Sequence, residues 1–382
     1  MTSDTVMTIL NGILAGFEAL TWQYAAMIII GCVLLWLGVK HDFEPLLLVP
    51  IGFGCILANL PLANMMGDEG LLRQFYNAGI INEVFPCLIF LGIGAMTDFT
   101  PLLANPRVLL LGGAGQFGIF LTLLLALACG FERLEAVCVG VIGACDGPTS
   151  IYVTSQFAPQ LLGPISVAAY SYMSLVPLIQ PPLMRLCTTK KERTMVMAYT
   201  DQKPISQTVR IIFPVAVTII TVLIAPMGAP LMGTLMLGNF LRECGCVDRL
   251  NKAAQNEICN IVTLLLGLSV GATMNGEIFL TTKTLIIFVL GAIAISGDTI
   301  AGIYLAKLMN LFSKEKINPL IGSAGISAFP MAARVSHRVG QEENEDNYLI
   351  MHAMGVNTGG QIGSVLAASI MLAVLAAMGY IH

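Results

Sequence analysis

Asp146 stands in the stretch Gly143-Ala-Cys-Asp-Gly-Pro-Thr-Ser150, and it is the only charged side chain between Ala136 and Met184. An ionised carboxylate on a membrane-spanning segment costs roughly 2.5–3.5 kcal/mol on insertion scales and has to face protein or water. It therefore needs a compensating partner. Gly147-Pro148 follows directly. Proline lacks the N–H and clashes with the preceding turn, so the pair is expected to break the helix and free backbone carbonyls beside the acid. Carboxylate, freed carbonyls and the hydroxyls of Thr149 and Ser150 make an oxygen-rich cage suited to a hard cation. The plainer alternative is a protonated carboxyl hydrogen-bonded within a kink.

Two other stretches have the same interrupted character. Ile321-Gly-Ser-Ala-Gly-Ile-Ser-Ala-Phe-Pro330 is apolar, punctuated by Gly322, Ser323 and Ser327, opened by Asn318 and followed by Arg334. Gly355-Val-Asn-Thr-Gly-Gly-Gln-Ile-Gly-Ser364 is rich in glycine, which leaves backbone open to a ligand, and is expected to form a third break. On a helix Asn357 and Gln361 would share one face, continued by Ser364. Tight helix packing through small residues is the competing reading. Tyr172, one segment after Asp146, and Asp298, a second acid in an apolar run, complete the candidates.

The elements that must position these groups are set by composition. The 382 residues are 56% hydrophobic and 11% charged, with a mean hydropathy of +0.81, against roughly 25% charged residues in soluble domains. Charge-free runs of spanning length recur, including Val108 to Phe131, Ile211 to Leu241 and Tyr348 to the C-terminus. At about 20 residues per crossing they predict an all-α, polytopic membrane protein of roughly ten to twelve helical segments. The N-terminal MTSDTVMTILNGI carries no basic cluster ahead of its apolar residues, which argues against a cleaved signal peptide. The ten cysteines lack metal-ligand spacing and read as small buried hydrophobes. No basic-aromatic stripe suggests nucleic acid.

Residues 187–210 form a basic linker, cytoplasmic by the positive-inside tendency, with further basic stretches at Arg242 to Lys252 and at Lys314 and Lys316. The linker separates residues 1–186 from 211–382, and the two halves resemble each other. Gly94-Ala-Met-Thr97 answers to Gly271-Ala-Thr-Met274, Ile142-Gly-Ala144 to Ile321-Gly-Ser323, and Ser174 to Gln180 lines up with Ala353 to Gly359, at offsets of 177 to 179 residues. Duplication predicts a repeat fold with discontinuous helices and an ion site at the repeat interface.

Four stretches taken together, Gly143 to Tyr152, Ala168 to Pro182, Asn318 to Val335 and His352 to Ser364, resemble the β subunits of sodium-pumping, biotin-dependent decarboxylases that act on oxaloacetate, methylmalonyl-CoA, glutaconyl-CoA or malonate. The resemblance covers nearly the whole chain. It implies a subunit of the bacterial cytoplasmic membrane that decarboxylates carboxybiotin, consumes a proton and exports sodium ions. The family's functional aspartate and tyrosine fall on Asp146 and Tyr172, its second signature on Asn318, Gly322, Ser327 and Arg334, and its C-terminal Asn and Ser on Asn357 and Ser364. Under this reading Asp146, Asn318, Gly322, Ser327, Asn357 and Ser364 bind sodium, with Thr149, Gln361 and Asp298 as further candidates, while Arg334 orients the carboxylate and Tyr172 relays the proton. The short loop before the Asp146 segment favours a complex acting on a CoA ester.

The chain has no Met-Lys-Met biotin attachment motif and no carboxyltransferase domain. The implied partners are an α carboxyltransferase subunit, a γ biotin carrier, a small membrane subunit and further copies of β. A sodium-coupled symporter is the alternative, since it too would show duplication, broken helices and a buried acid.

Overall fold

The computed structural model describes residues 14–41, 45–197, 205–313 and 316–380. The N-terminal stretch read above up to residue 13, and the linker's Lys203 and the neighbouring Lys314, lie outside the described residues. Among the described residues there are helices and no strand. The longer helices of the first half are α1 (Trp22–His41), α2 (Pro45–Ala58), α3 (Val84–Met96), α4 (Val108–Ala114), α5 (Phe117–Ala128), α6 (Arg133–Val141), α7 (Gly147–Phe157) and α8 (Leu162–Cys187). The second half contributes α9 (Gln207–Ile224), α10 (Ala229–Glu243), α11 (Cys259–Ala272), α12 (Thr282–Phe312), α13 (Met331–Glu343) and α14 (Ile350–Ala377).

Among the described residues six helices are long and apolar enough to cross a bilayer, and up to eight spans result if each of two bent pairs is counted as one. The helices outnumber the spans because several apolar runs are cut short. The run from Val108 divides into α4 and α5 at Gly115 and Gln116, and α6 stops at Val141. Between the basic stretches of the second half lie the helix pairs α9–α10 and α11–α12.

The packing is reciprocal between the halves. Helix α3 lies against α10 while α11 lies against α2, and α8 lies against α12 while α14 lies against α4. Glycines set the closest crossings: a Cβ on Gly94 would sit 1.8 Å from Leu235 O, and one on Gly271 2.0 Å from Ile51 O. The facing glycines behave alike, Gly238 against Leu91 O at 2.1 Å and Gly54 against Leu268 O at 2.3 Å. In lipid, helices associate through such close backbone contact because lipid tails offer no hydrophobic driving force. An asparagine seals each pair: Asn59 Nδ2 donates to Met274 O at 2.8 Å and Asn239 Nδ2 to Thr97 O at 3.0 Å.

Two buried clusters follow from this layout. The smaller joins α1, α2, α11 and the start of α8. The larger surrounds the interrupted segments near residues 142–147 and 319–330 and the inner faces of α8, α12 and α14.

The linker begins as a short helix, Lys190–Arg193, closed by a Thr189–Glu192 capping box. Glu192 pairs with Lys307 at 3.0 Å and Arg193 with Glu343 at 2.9 Å. Three asparagines then hold its backbone: Asn318 Nδ2 on Arg193 O and Met195 O, Asn347 Nδ2 on Arg193 O and Asn344 Nδ2 on Thr194 O. The basic linker is thus fastened to the ends of α12 and α13.

Candidate functional site

The first break lies before Asp146 rather than at Gly147-Pro148. After α6 a single 3-10 turn, Ile142–Ala144, ends at Cys145, whose φ of 52° reverses the backbone into the left-handed region. Asp146 is then the N-cap of α7. Pro148 therefore helps to begin a helix rather than interrupting one, since a missing N–H costs nothing in the first turn.

The Asp146 carboxylate is buried, 7% exposed, and held by hydroxyls. Oδ2 accepts from Thr149 Oγ1 at 2.7 Å and from Ser364 Oγ at 3.1 Å. Oδ1 accepts only the Thr149 N–H, at 3.5 Å, a weak contact. The positive end of the α7 dipole favours the negative charge. Among the described residues no basic side chain forms an ion pair with Asp146, so dipole and hydroxyls are its only protein compensation. A cavity of about 250 Å³ adjoins it, walled by Phe90, Ile93, Met96 and Phe329 and reached by Asp146, Ser327 and Gln361. Thr97 Oγ1 donates to Gln361 Oε1 at 3.3 Å.

The second break is a 3-10 run, Pro319–Gly325, followed by extended backbone at Ile326. It crosses the first directly, with Ser327 N donating to Ala144 O at 3.1 Å. Ser327 Oγ donates to Gly360 O at 2.8 Å, and Asn357 Nδ2 donates to Ala324 O and Ile326 O at 3.1 and 2.7 Å. Asp146, Thr149, Ser327, Asn357, Gln361 and Ser364 thus meet where the two breaks and α14 cross.

The expected third break is absent. Residues 355–364 lie inside the continuous helix α14, and their glycines serve contact instead. A Cβ on Gly360 would fall 2.2 Å from Gly325 O, and one on Gly112 would fall 2.6 Å from the Gly359 carbonyl carbon. Asn357, Gln361 and Ser364 do share a helix face, as their spacing predicts.

The structure places five other candidates apart from this group. Asn318 Oδ1 accepts from Leu320 N at 3.0 Å and its amide nitrogen is spent on the linker, so it is a cap and clasp. Gly322 forms a backbone crossing with Gly302, where a Cβ would meet Gly302 O at 2.1 Å. Asp298 of α12 accepts from Gly118 N at the start of α5. Arg334 is exposed on α13. Tyr172 is buried, its hydroxyl donating to Phe288 O and its ring beside Gly291. Neither Tyr172 nor Arg334 lines the cavity, although their neighbours Met173 and Pro330 do.

Sequence reasoning missed two glutamines. Gln180 Nε2 donates to Ser323 O at 2.7 Å and to Thr299 Oγ1 at 3.2 Å. Gln116 Nε2 donates to Gly112 O, Gly325 O and Gly360 O. The signal was present: Gln116 is the one amide in the run Val108 to Phe131 and is flanked by Gly113, Gly115 and Gly118.

The family profile described as "Na+-transporting oxaloacetate decarboxylase beta subunit" matches residues 23–375. The glutaconyl-CoA decarboxylase subunit beta of Acidaminococcus fermentans is 52% identical, covering 94% of this chain and 96% of that one. The methylmalonyl-CoA decarboxylase subunit beta of Propionigenium modestum is 49% identical with the same coverage, and a probable oxaloacetate decarboxylase beta chain of Vibrio cholerae is 46% identical, again over 94% and 96%. With the apolar helices and the site in place, these matches establish that the chain is an integral membrane protein belonging to the family of β subunits of sodium-transporting decarboxylases.

Proposed function

We propose that this subunit decarboxylates carboxybiotin presented by a partner's biotin carrier and couples the reaction to sodium export, with Asp146 as the charged sodium ligand. The observation that carries the reading is a buried carboxylate whose hydrogen-bond partners among the described residues are hydroxyls and one distant N–H. Sodium is a hard cation that prefers oxygen ligands, and it supplies the missing positive charge. Thr149 and Ser364 hold Oδ2 and leave Oδ1 to the ion, while Ser327, Asn357 and Gln361 bring further oxygens from the second break and α14. Asn318 and Gly322 act by fastening the linker and the second break rather than as ligands.

In the chemical step the bond between the ureido nitrogen and the carboxylate carbon breaks. Carbon dioxide leaves, and the electron pair stays on nitrogen, which takes up the proton. Arg334, exposed on α13, orients the arriving carboxylate, and Tyr172 serves the proton relay from its place beside α12. Sodium occupancy at Asp146 sets which side of the membrane the site faces. The reciprocal pairing of α3–α10 with α11–α2, and of Asn59 with Asn239, supports a duplicated chain with its site at the repeat interface. The α carboxyltransferase, γ biotin carrier and small membrane subunit, with further copies of β, complete the complex, and the carboxyltransferase selects the acid. The higher identities to relatives named for CoA esters favour that substrate class.

The test is to solubilise the protein from its own membrane. It should co-purify with a biotinylated polypeptide and release carbon dioxide from carboxybiotin only when sodium is present. Absence of any biotinylated partner, with sodium-dependent solute uptake instead, would establish the symporter reading.

A further inference from the structure

Helix α3 supplies three walls of the cavity, Phe90, Ile93 and Met96, and ends at Thr97. The last carbonyls of a helix have no partner within it, and here side chains from the second half take them in turn. Gln255 Nε2, in the π-turn Ala254–Ile258 that leads into α11, donates to Ala95 O at 2.6 Å. Arg242 Nη1 donates to Met96 O at 2.7 Å, and Asn239 Nδ2 donates to Thr97 O at 3.0 Å. Arg242 Nη2 also pairs with Asp98 at 3.3 Å. A cation therefore stands at the negative end of the α3 dipole, where it is stabilising.

The other half of the chain provides an internal control. The matching end of α11 has its asparagine, with Asn59 Nδ2 on Met274 O at 2.8 Å. At the offset of 180 residues that pairs Asn59 with Asn239, however, Arg242 falls on Leu62, whose side chain has no donor. The asparagine belongs to the shared framework, and the arginine is an addition at the end that faces the cavity. Its effect reaches the site in two steps. Arg242 and Gln255 hold the turn that carries Met96 and Thr97, and the Thr97 hydroxyl meets Gln361 Oε1 at 3.3 Å. Gln361 reaches the cavity beside Asp146, whereas Arg242 is not among the residues that line it.

We propose that Arg242 is a positioning residue for the sodium-coupled reaction: it fixes the last turn of α3, and through Thr97 it sets the side chain of Gln361 against the Asp146 site. The inference rests on the sodium reading of Asp146. Arg242 acts on that site without entering it. A guanidinium suits the task because one planar group reaches a carbonyl and a carboxylate together, which fixes Met96 and Asp98 relative to each other.

The experiment measures the melting temperature of the detergent-purified complex and the sodium dependence of its carbon dioxide release from carboxybiotin, with choline chloride holding ionic strength. The proteins compared are wild type, Arg242→Gln, Thr97→Val, the double variant of these two, and Asn59→Ala. Arg242→Gln should raise the sodium concentration at half-maximal turnover about fivefold, the worth of one hydrogen bond, while the maximal rate stays within about twofold. Thr97→Val should do the same, and the double variant should shift no further than either single one, because residues acting in series are not additive. Asn59→Ala loses a comparable hydrogen bond in the other half. It should lower the melting temperature and leave the sodium response as in wild type, which separates positioning from loss of stability. If Arg242→Gln does not fold, Gln255→Leu, which removes the donor to Ala95 O, and Thr97→Val decide. Lowered melting temperatures with a wild-type sodium response in the variants at the α3 end overturn the inference, as does an equal shift in Asn59→Ala or a double variant whose shifts add. A wild type that turns over without sodium fails the sodium reading itself, which is a different result.

Discussion

The break before Asp146 is closed by its own neighbours, whereas the break at 319–330 is closed by side chains from elsewhere. In the first, Cys145 N bonds back to Ile142 O, Ser150 Oγ takes Asp146 O at 2.9 Å, and Asp146 caps the helix it begins. In the second, Gln116 from the turn between α4 and α5, Gln180 from α8 and Asn357 from α14 satisfy the carbonyls of residues 323 to 326. The helix pairs α2–α11 and α3–α10 show no such contrast, since their glycine crossings and sealing asparagines pair off between the halves. The duplicated framework keeps its packing while its two interruptions differ. One carries the charge and the other is a neutral, externally braced surface against which the charge is set.

The brace is where the comparison breaks most easily. Gly360→Ala puts a methyl 2.2 Å from the backbone of Gly325, which cannot yield cheaply, so a loss at the upper end of overpacking, about 3 kcal/mol, is expected in thermal melts. Gly143→Ala, beside the first break, meets the Gly118 carbonyl carbon at 2.7 Å and should cost less. Gly94→Ala and Gly271→Ala test the symmetry: their methyls would fall 1.8 and 2.0 Å from a backbone oxygen, so each should cost at least as much as Gly360→Ala, about 3 kcal/mol, and the two values should agree closely. A large disparity would show that the halves do not carry equivalent crossings. Asn59→Ala and Asn239→Ala should each cost about 1 kcal/mol, the worth of one buried hydrogen bond, again as a matched pair. The smallest effect on stability is expected at Ser364→Ala, which removes one of the hydroxyls on Asp146. Its melting temperature should barely move while the sodium requirement of turnover rises severalfold.

The sequence made the charged half of the site readable and the neutral half obscure. A lone acid in an apolar run has to be compensated, so Asp146 and the hydroxyls beside it could be found from composition alone. The i, i+4 relation of Asn357 and Gln361 held because α14 is a helix, but the glycines around them carried two meanings. Gly355 to Gly363 resembled a break and are instead the smooth face that lets α4 and the second break approach. Asn318 and Gly322 belong to the same motif as Ser327, yet Asn318 contacts the linker and Gly322 packs on Gly302, so a shared motif does not give shared contacts. Gln116 stood out as the one amide in its run, but its partners, 209 and 244 residues away, could not be read from that. Periodicity describes one helix and says nothing of what crosses it.

The central claim, that Asp146 carries the sodium ion the reaction moves, is tested most directly by Asp146→Asn in the complete complex reconstituted into liposomes. Asparagine caps a helix about as well as aspartate, so the fold is kept while the charge is lost. The account predicts that carbon dioxide release from carboxybiotin loses its sodium dependence and falls about a hundredfold, some ~2.7 kcal/mol of barrier, with no sodium accumulating in the vesicles. Sodium-dependent turnover and sodium uptake at wild-type rates in Asp146→Asn would contradict it.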